Sequence, residues 1–193
     1  MQRTTMRHIL GVWVAIGLVL SIATCGGDAD TSPVAPGSTN TSPASPQIEL
    51  GARLVVDIVS SRGATLPVVI IAPSLFPLAA VVLLERDDGT VTLGGTSEDP
   101  QIQSGGFLAR NADAFAAQGL LVALVGVPSD RATGIDISYR ISTQQSDDVA
   151  AVVAWIDARA SLSVWVLGMS RGSYSAANSA VCYALGITNA DAV

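Results

Sequence analysis

From Ile48 onward the chain alternates two apolar patterns. Leu54–Val59, Val68–Ala72, Ala80–Leu84, Leu120–Val125 and Ser163–Leu167 are short, dense apolar runs, rich in β-branched residues and bounded by turn formers, which predicts strands. Pro73 stops the second run, and Arg62-Gly63 supplies a turn before it. Between the later runs the apolar period lengthens to that of a helix. Phe107–Gln118 places Leu108, Ala112 and Phe115 on one face, with Gly119 set to cap it. Asp147–Ala158 carries Val149, Val152, Val153 and Ile156 at i, i+3, i+4 and i+7. Ser146 is its expected cap, with Asp147 and Asp148 in the positive first turn. Arg171–Leu185 is rich in small residues and reads as a helix ending at Gly186. Leu93-Gly94-Gly95 reads as a turn. The resulting order is β-β-β-α-β-α-β-α. Continuous apolar strands need cover on both faces, so the expected fold class is α/β: a mainly parallel sheet with flanking helices and an antiparallel start.

The first residues follow another pattern. Arg3 and Arg7 precede an apolar and small-residue run, Ile9–Ala23. A spanning helix needs about 20 apolar residues, so the run suits the core of an export signal over 1–25. Ile22-Ala23-Thr24-Cys25 resembles the lipobox of bacterial lipoproteins, with Thr24 where a smaller residue is usual. That resemblance implies lipidation at Cys25, a membrane partner through the lipid anchor, and a periplasmic or cell-envelope location. The other reading is an ordinary cleaved signal with an incidental cysteine. Residues 26–47 are Gly, Ser, Thr, Pro, Ala, Asp and Asn with one valine, too little apolar surface to offset ordering entropy, and read as a linker.

Composition narrows the function. Hydrophobic residues make up 49% and charged residues 13% of the 193, a core-building balance. The net charge of −6 and the absence of lysine leave no basic stripe for phosphates, which argues against nucleic acid as a partner. Cys25 and Cys182 are too few for a disulfide framework or a cysteine-built metal site. No G-x-G-x-x-G follows a strand, so no cofactor is expected. The one histidine, His8, lies in the export segment.

Chemistry concentrates at Gly168-Met169-Ser170-Arg171-Gly172, a G-x-S-x-G sequence between the strand Val164–Leu167 and the helix that follows. The bend lifts the Ser170 hydroxyl to the carboxyl edge of the sheet. Gly168 and Gly172 let neighbouring backbone pass close by. The Arg171 N–H and the helix dipole are then placed to stabilise an oxyanion.

With these elements the segment from about Arg53 to Val193 resembles the α/β-hydrolase family, nearest a bacterial group with a "FLAR…FA…G" helix, a "PSD" loop and a "GxSRGSxSAAN" elbow. Here those are Phe107–Arg110 with Phe115-Ala116, Pro128–Asp130, and Gly168–Asn178. The resemblance implies a Ser–acid–His triad in that chain order, of which only Ser170 carries over. After Ser170 there is no histidine and one acid, Asp191. Asp147, Asp148 and Asp157 precede it and read as capping and solvated. The resemblance also implies a second oxyanion N–H from the loop after the third strand. Glu85-Arg86-Asp87-Asp88-Gly89 stands where glycines are usual, and Arg86 is the candidate donor. Trp165 and Cys182 read as core. Ala192-Val193 looks like the start of another strand, so 48–193 is expected to be a partial α/β-hydrolase domain. Two functions follow: a serine hydrolase of the esterase type acting on a small-molecule ester or amide, inactive as this length of chain, or a non-catalytic, membrane-tethered α/β binding domain. The oligomeric state cannot be read from the sequence.

Overall fold

The structure is a computed structural model that describes residues 48–186. The export signal, the linker and the strand start expected at Ala192-Val193 lie outside the described residues. In chain order the elements are β1 (Arg53–Val59), β2 (Thr65–Ile71), β3 (Ala79–Leu84), β4 (Thr92–Gly95), β5 (Pro100–Ser104), α1 (Phe107–Arg110), α2 (Ala112–Ala117) and β6 (Leu120–Val125). A 3-10 turn at Ser129–Arg131 is followed by α3 (Ile137–Arg140), α4 (Thr143–Asp157), β7 (Val164–Gly168) and α5 (Gly172–Leu185).

One sheet has the order β1-β2-β6-β3-β7. β1 pairs with β2, and β2 with β6, antiparallel; β3 pairs in parallel with β6 and β7. β4 and β5 form a separate hairpin. Alternate residues of the central strands feed two cores. Val68, Ile70, Val82, Leu121 and Ala123 pack on one face with Val149, Val152 and Ile156 of α4. Val69, Val81, Leu83, Val122 and Leu124 pack on the other with Leu108, Ala112 and Ala116 of α1 and α2. Both faces of β3 and β6 are therefore buried, which is why their sequences are continuous rather than alternating.

Several expectations are corrected. The helix expected from Asp147 begins at Thr143, because Ser142, in extended backbone, accepts from the Gln145 N–H and caps it earlier. Ser146 is consequently inside the helix, and Asp147 and Asp148 lie past its first turn. The helix expected over Phe107–Gln118 is two, interrupted at Asn111, whose side-chain amide donates to the Phe107 carbonyl. Leu93–Gly95 is strand rather than turn. Trp165 is 68% exposed, not core. Among the described residues β7 is an edge strand: Val164 and Val166 join the core on the α4 side, whereas Trp165 and Leu167 register with Val81 and Leu83 on the face that carries α1 and α2, and are left exposed there. Cys182 is buried, as its apolar setting predicts.

Candidate active site

Three parallel strands, β3, β6 and β7, end at one edge, and the G-x-S-x-G bend lies there. The Met169 N–H reaches the Leu84 carbonyl at 3.3 Å, carrying the β7–β3 ladder one residue past Gly168. The chain then turns. Ser170 has φ of 52°, in the left-handed region that a non-glycine residue enters at a cost of about 1–3 kcal/mol. The Gly172 N–H closes the bend on the Met169 carbonyl at 2.8 Å, and the Ser173 N–H and Oγ both donate to the Ser170 carbonyl, at 3.0 and 2.6 Å. The glycines are needed for room. A Cβ on Gly168 would stand 2.1 Å from the Gly172 carbonyl oxygen, and one on Gly172 would stand 2.1 Å from that of Leu84. Ser170 is exposed at the head of the 14-residue α5. Arg171 occupies the capping position, and its N–H donates to no other described residue.

Because Leu84 pairs with Gly168, the loop after β3 runs beside the bend. Glu85, 2% exposed, turns its carboxylate inward. It accepts from the Ala109 N–H in the first turn of α1 and, at 3.1 Å, from the Arg86 N–H. Gly106 makes space for it, since a Cβ there would fall 2.0 Å from Glu85 Oε2. The structure thus puts the Arg86 N–H on the Glu85 carboxylate, and the Arg86 guanidinium on Asp87 at 2.9 Å. Asp87, like Ser170, has φ of 52°. The Gly89 N–H donates to the Arg86 carbonyl at 2.9 Å, closing the turn.

Two arginines at this edge, Arg140 buried and Arg62 partly buried, carried no sequence signal, having neither a motif nor a period. Arg140 of α3 is 1% exposed. Its Nη2 donates to the carbonyls of Glu85 and Asp87, both at 3.0 Å, and its Nη1 to Ser175 Oγ on α5 at 3.1 Å. Burial, and then the Arg171 charge, lower its pKa, against the fields of Asp88, Asp87 and Glu85. Arg62, in the β1–β2 turn, forks onto Asp148 at 2.9 Å through both Nε and Nη2, and onto Asp130 at 2.7 and 3.0 Å. It also reaches the Tyr139 hydroxyl, which donates to Asp148. The expectation that Asp148 is solvated is corrected: it is 0% exposed and serves as the counter-charge of Arg62. The Arg62 hydrogen bond holds the Asp130 carboxyl below its usual range, and burial pushes the Tyr139 phenol up.

No histidine is present among the described residues, and none of their side chains hydrogen-bonds Ser170 Oγ.

No family profile matches the chain, and no curated protein matches it. Solved structures do. A lidless α/β serine hydrolase from Xanthomonas campestris superposes with a TM-score of 0.51 at 18% identity, covering 72% of this chain and 59% of its own. A thermostable carboxyl esterase from Bacillus coagulans gives 0.47 at 17% identity, over 70% and 42%. The chain therefore spans about three fifths of the length of the Xanthomonas hydrolase. At this identity the likeness concerns the fold, and with the sheet order above it defines the class: the described residues have an α/β-hydrolase fold.

Proposed function

We propose that this chain carries the nucleophile of a serine acyl hydrolase, with Ser170 attacking the carbonyl of a small ester. The observation that carries the reading is the left-handed backbone of Ser170, a non-glycine residue held at the sheet edge between β7 and α5. Such strain persists where surrounding structure enforces it, and a nucleophile elbow is one such place. The Arg171 N–H and the α5 N-terminus supply one oxyanion donor. Arg86 serves as the second once its N–H leaves the Glu85 carboxylate. Among the described residues no base stands beside Ser170, and a serine without one is a weak nucleophile.

The test is incubation of the purified chain with a fluorophosphonate and intact-mass measurement. Slow addition of one phosphonyl group is expected, abolished in Ser170→Ala and retained in Ser173→Ala. Adduct that persists in Ser170→Ala, or none after long incubation, favours the second reading, a tethered binding domain, which the engaged Arg86 N–H supports. The same proposal places the domain at the cell envelope with Cys25 lipidated. Incorporation of an alkynyl fatty acid, lost in Cys25→Ser, checks it.

A further inference from the structure

The Arg140 guanidinium is buried yet forks onto no carboxylate. Its Nη2 is shared by the carbonyls of Glu85 and Asp87, and its Nη1 goes to Ser175. Those two carbonyls bracket Arg86. One belongs to Asp87, whose φ of 52° matches that of Ser170. The two left-handed non-glycine residues among those described thus follow neighbouring strands, β3 and β7. The Glu85 carbonyl accepts from Arg140 and also lies close to Gly172, where an added Cβ would stand 2.8 Å from it. Among the described residues Arg140 is the one side chain bonded both to the strained turn and to the helix that begins beside Ser170.

Its remaining donor points elsewhere. Nε has no partner among the described residues, and neither has Oε1 of Gln145, which is 4% exposed. Both residues line a cavity of about 10 Å³, measured for the centre of a water-sized sphere, walled by Leu66, Val125 and Ile135. A buried donor and a buried acceptor left unmade each bear the full cost of losing their water. About 10–15 Å³ with two or more polar partners is what one internal water requires. Water accepts from Nε–H and donates to Oε1; an anion would satisfy only the first.

We propose that Arg140, with one water lodged between its Nε and Gln145 Oε1, is the positioning centre that holds the Asp87 turn against α5. The clamp rests on the structure alone; its consequence, that it sets the backbone N–H groups beside Ser170, rests on the hydrolase reading. Arg140 acts through the backbone and touches no substrate.

The full chain tests it in three ways. A high-resolution crystal structure should show one ordered peak within hydrogen-bond distance of both Arg140 Nε and Gln145 Oε1; a dry cavity, or Arg140 turned to solvent, overturns the water site. Amide exchange at Gly89 should accelerate about tenfold in Arg140→Met while β3 and β6 amides stay within about twofold, because local opening is separable from global unfolding. Uniform acceleration, or none, overturns the clamp. In Arg140→Gly, millimolar guanidinium should restore slow Gly89 exchange and the fluorophosphonate rate, whereas equal urea should not; a merely space-filling arginine would show no such selectivity. If Arg140→Gly fails to fold, Arg140→Lys keeps charge without the fork and should show intermediate exchange; wild-type exchange there refutes the clamp. A wild-type chain inert to fluorophosphonate whose Gly89 exchange still responds refutes the hydrolase reading and leaves the clamp standing.

Discussion

Arg62, partly buried, and Arg140, fully buried, are cations at the same edge of the sheet, and they are used in opposite ways. Arg62 is ringed by counter-charge: two carboxylates forked onto one guanidinium, with Tyr139 bridging. It joins the β1–β2 turn to the Pro128–Arg131 segment, α3 and α4, from which it is separated by 68 to 86 residues of chain. Arg140 faces main-chain oxygens and a hydroxyl, and joins one strained turn to one helix. Charge paired with charge locks architecture, because removing either partner strands the other without water. Charge paired with carbonyls fixes the course of the backbone, because a carbonyl can neither titrate nor rotate away independently of its chain.

The largest expected effect breaks the first centre. Asp148→Ala leaves the partly buried Arg62 with only the half-exposed Asp130, and should cost about 3–5 kcal/mol in denaturant unfolding. A loss under about 1 kcal/mol would show that Arg62 simply moves to solvent. Gly172→Ala disturbs the second centre without touching Arg140, forcing a methyl against the carbonyls of Leu84 and Glu85. It should cost about 3 kcal/mol, the upper end of overpacking, and accelerate exchange at Gly89 as Arg140→Met does. Retention of wild-type stability would mean that the bend relaxes freely. The smallest effect is acid sensitivity. Asp130 is held below its usual pKa by Arg62, and Asp88 by hydrogen bonds from Thr90, so the stability they lend is full above about pH 4 and declines as pH falls through their depressed values. Thermal melts from pH 5 to pH 2 should show this decline, shallower in Asp130→Asn. The Arg140 hydrogen bonds are made to groups that do not titrate, so Arg140 enters that slope only through its field on Asp88, a smaller cause there than the Thr90 hydrogen bonds.

How much of this was legible beforehand differs by region. The strands of the main sheet were, because β3 and β6 are buried on both faces and leave an unbroken apolar signature; the β4–β5 hairpin, short and glycine-rich, was not. The bend was, because Gly168 and Gly172 are sterically required and so fix a readable spacing around Ser170. The start of α4 was not: Thr143–Ser146 is polar, so an apolar period cannot see it, and Ser142 competed with Ser146 as cap. Trp165 misled because an edge strand and a central one have similar composition; what differs is the neighbour, which no local pattern records. Asp148 was taken for a surface charge because its partner, Arg62, lies far back in the chain. The same distance hid Arg140, and the inward fold of Glu85 was invisible since carboxylates in a polar loop usually point outward.

One further result follows from β7. Among the described residues it has a strand on one side only, so its other border is a row of main-chain donors and acceptors flanked by the indole of Trp165 and by Leu167. Such a border accepts any extended peptide of suitable polarity. Because the Ser170 hydroxyl stands two residues beyond the last residue of that strand, whatever zips on there comes to lie beside it. Association and access to the serine are thereby one geometric question rather than two.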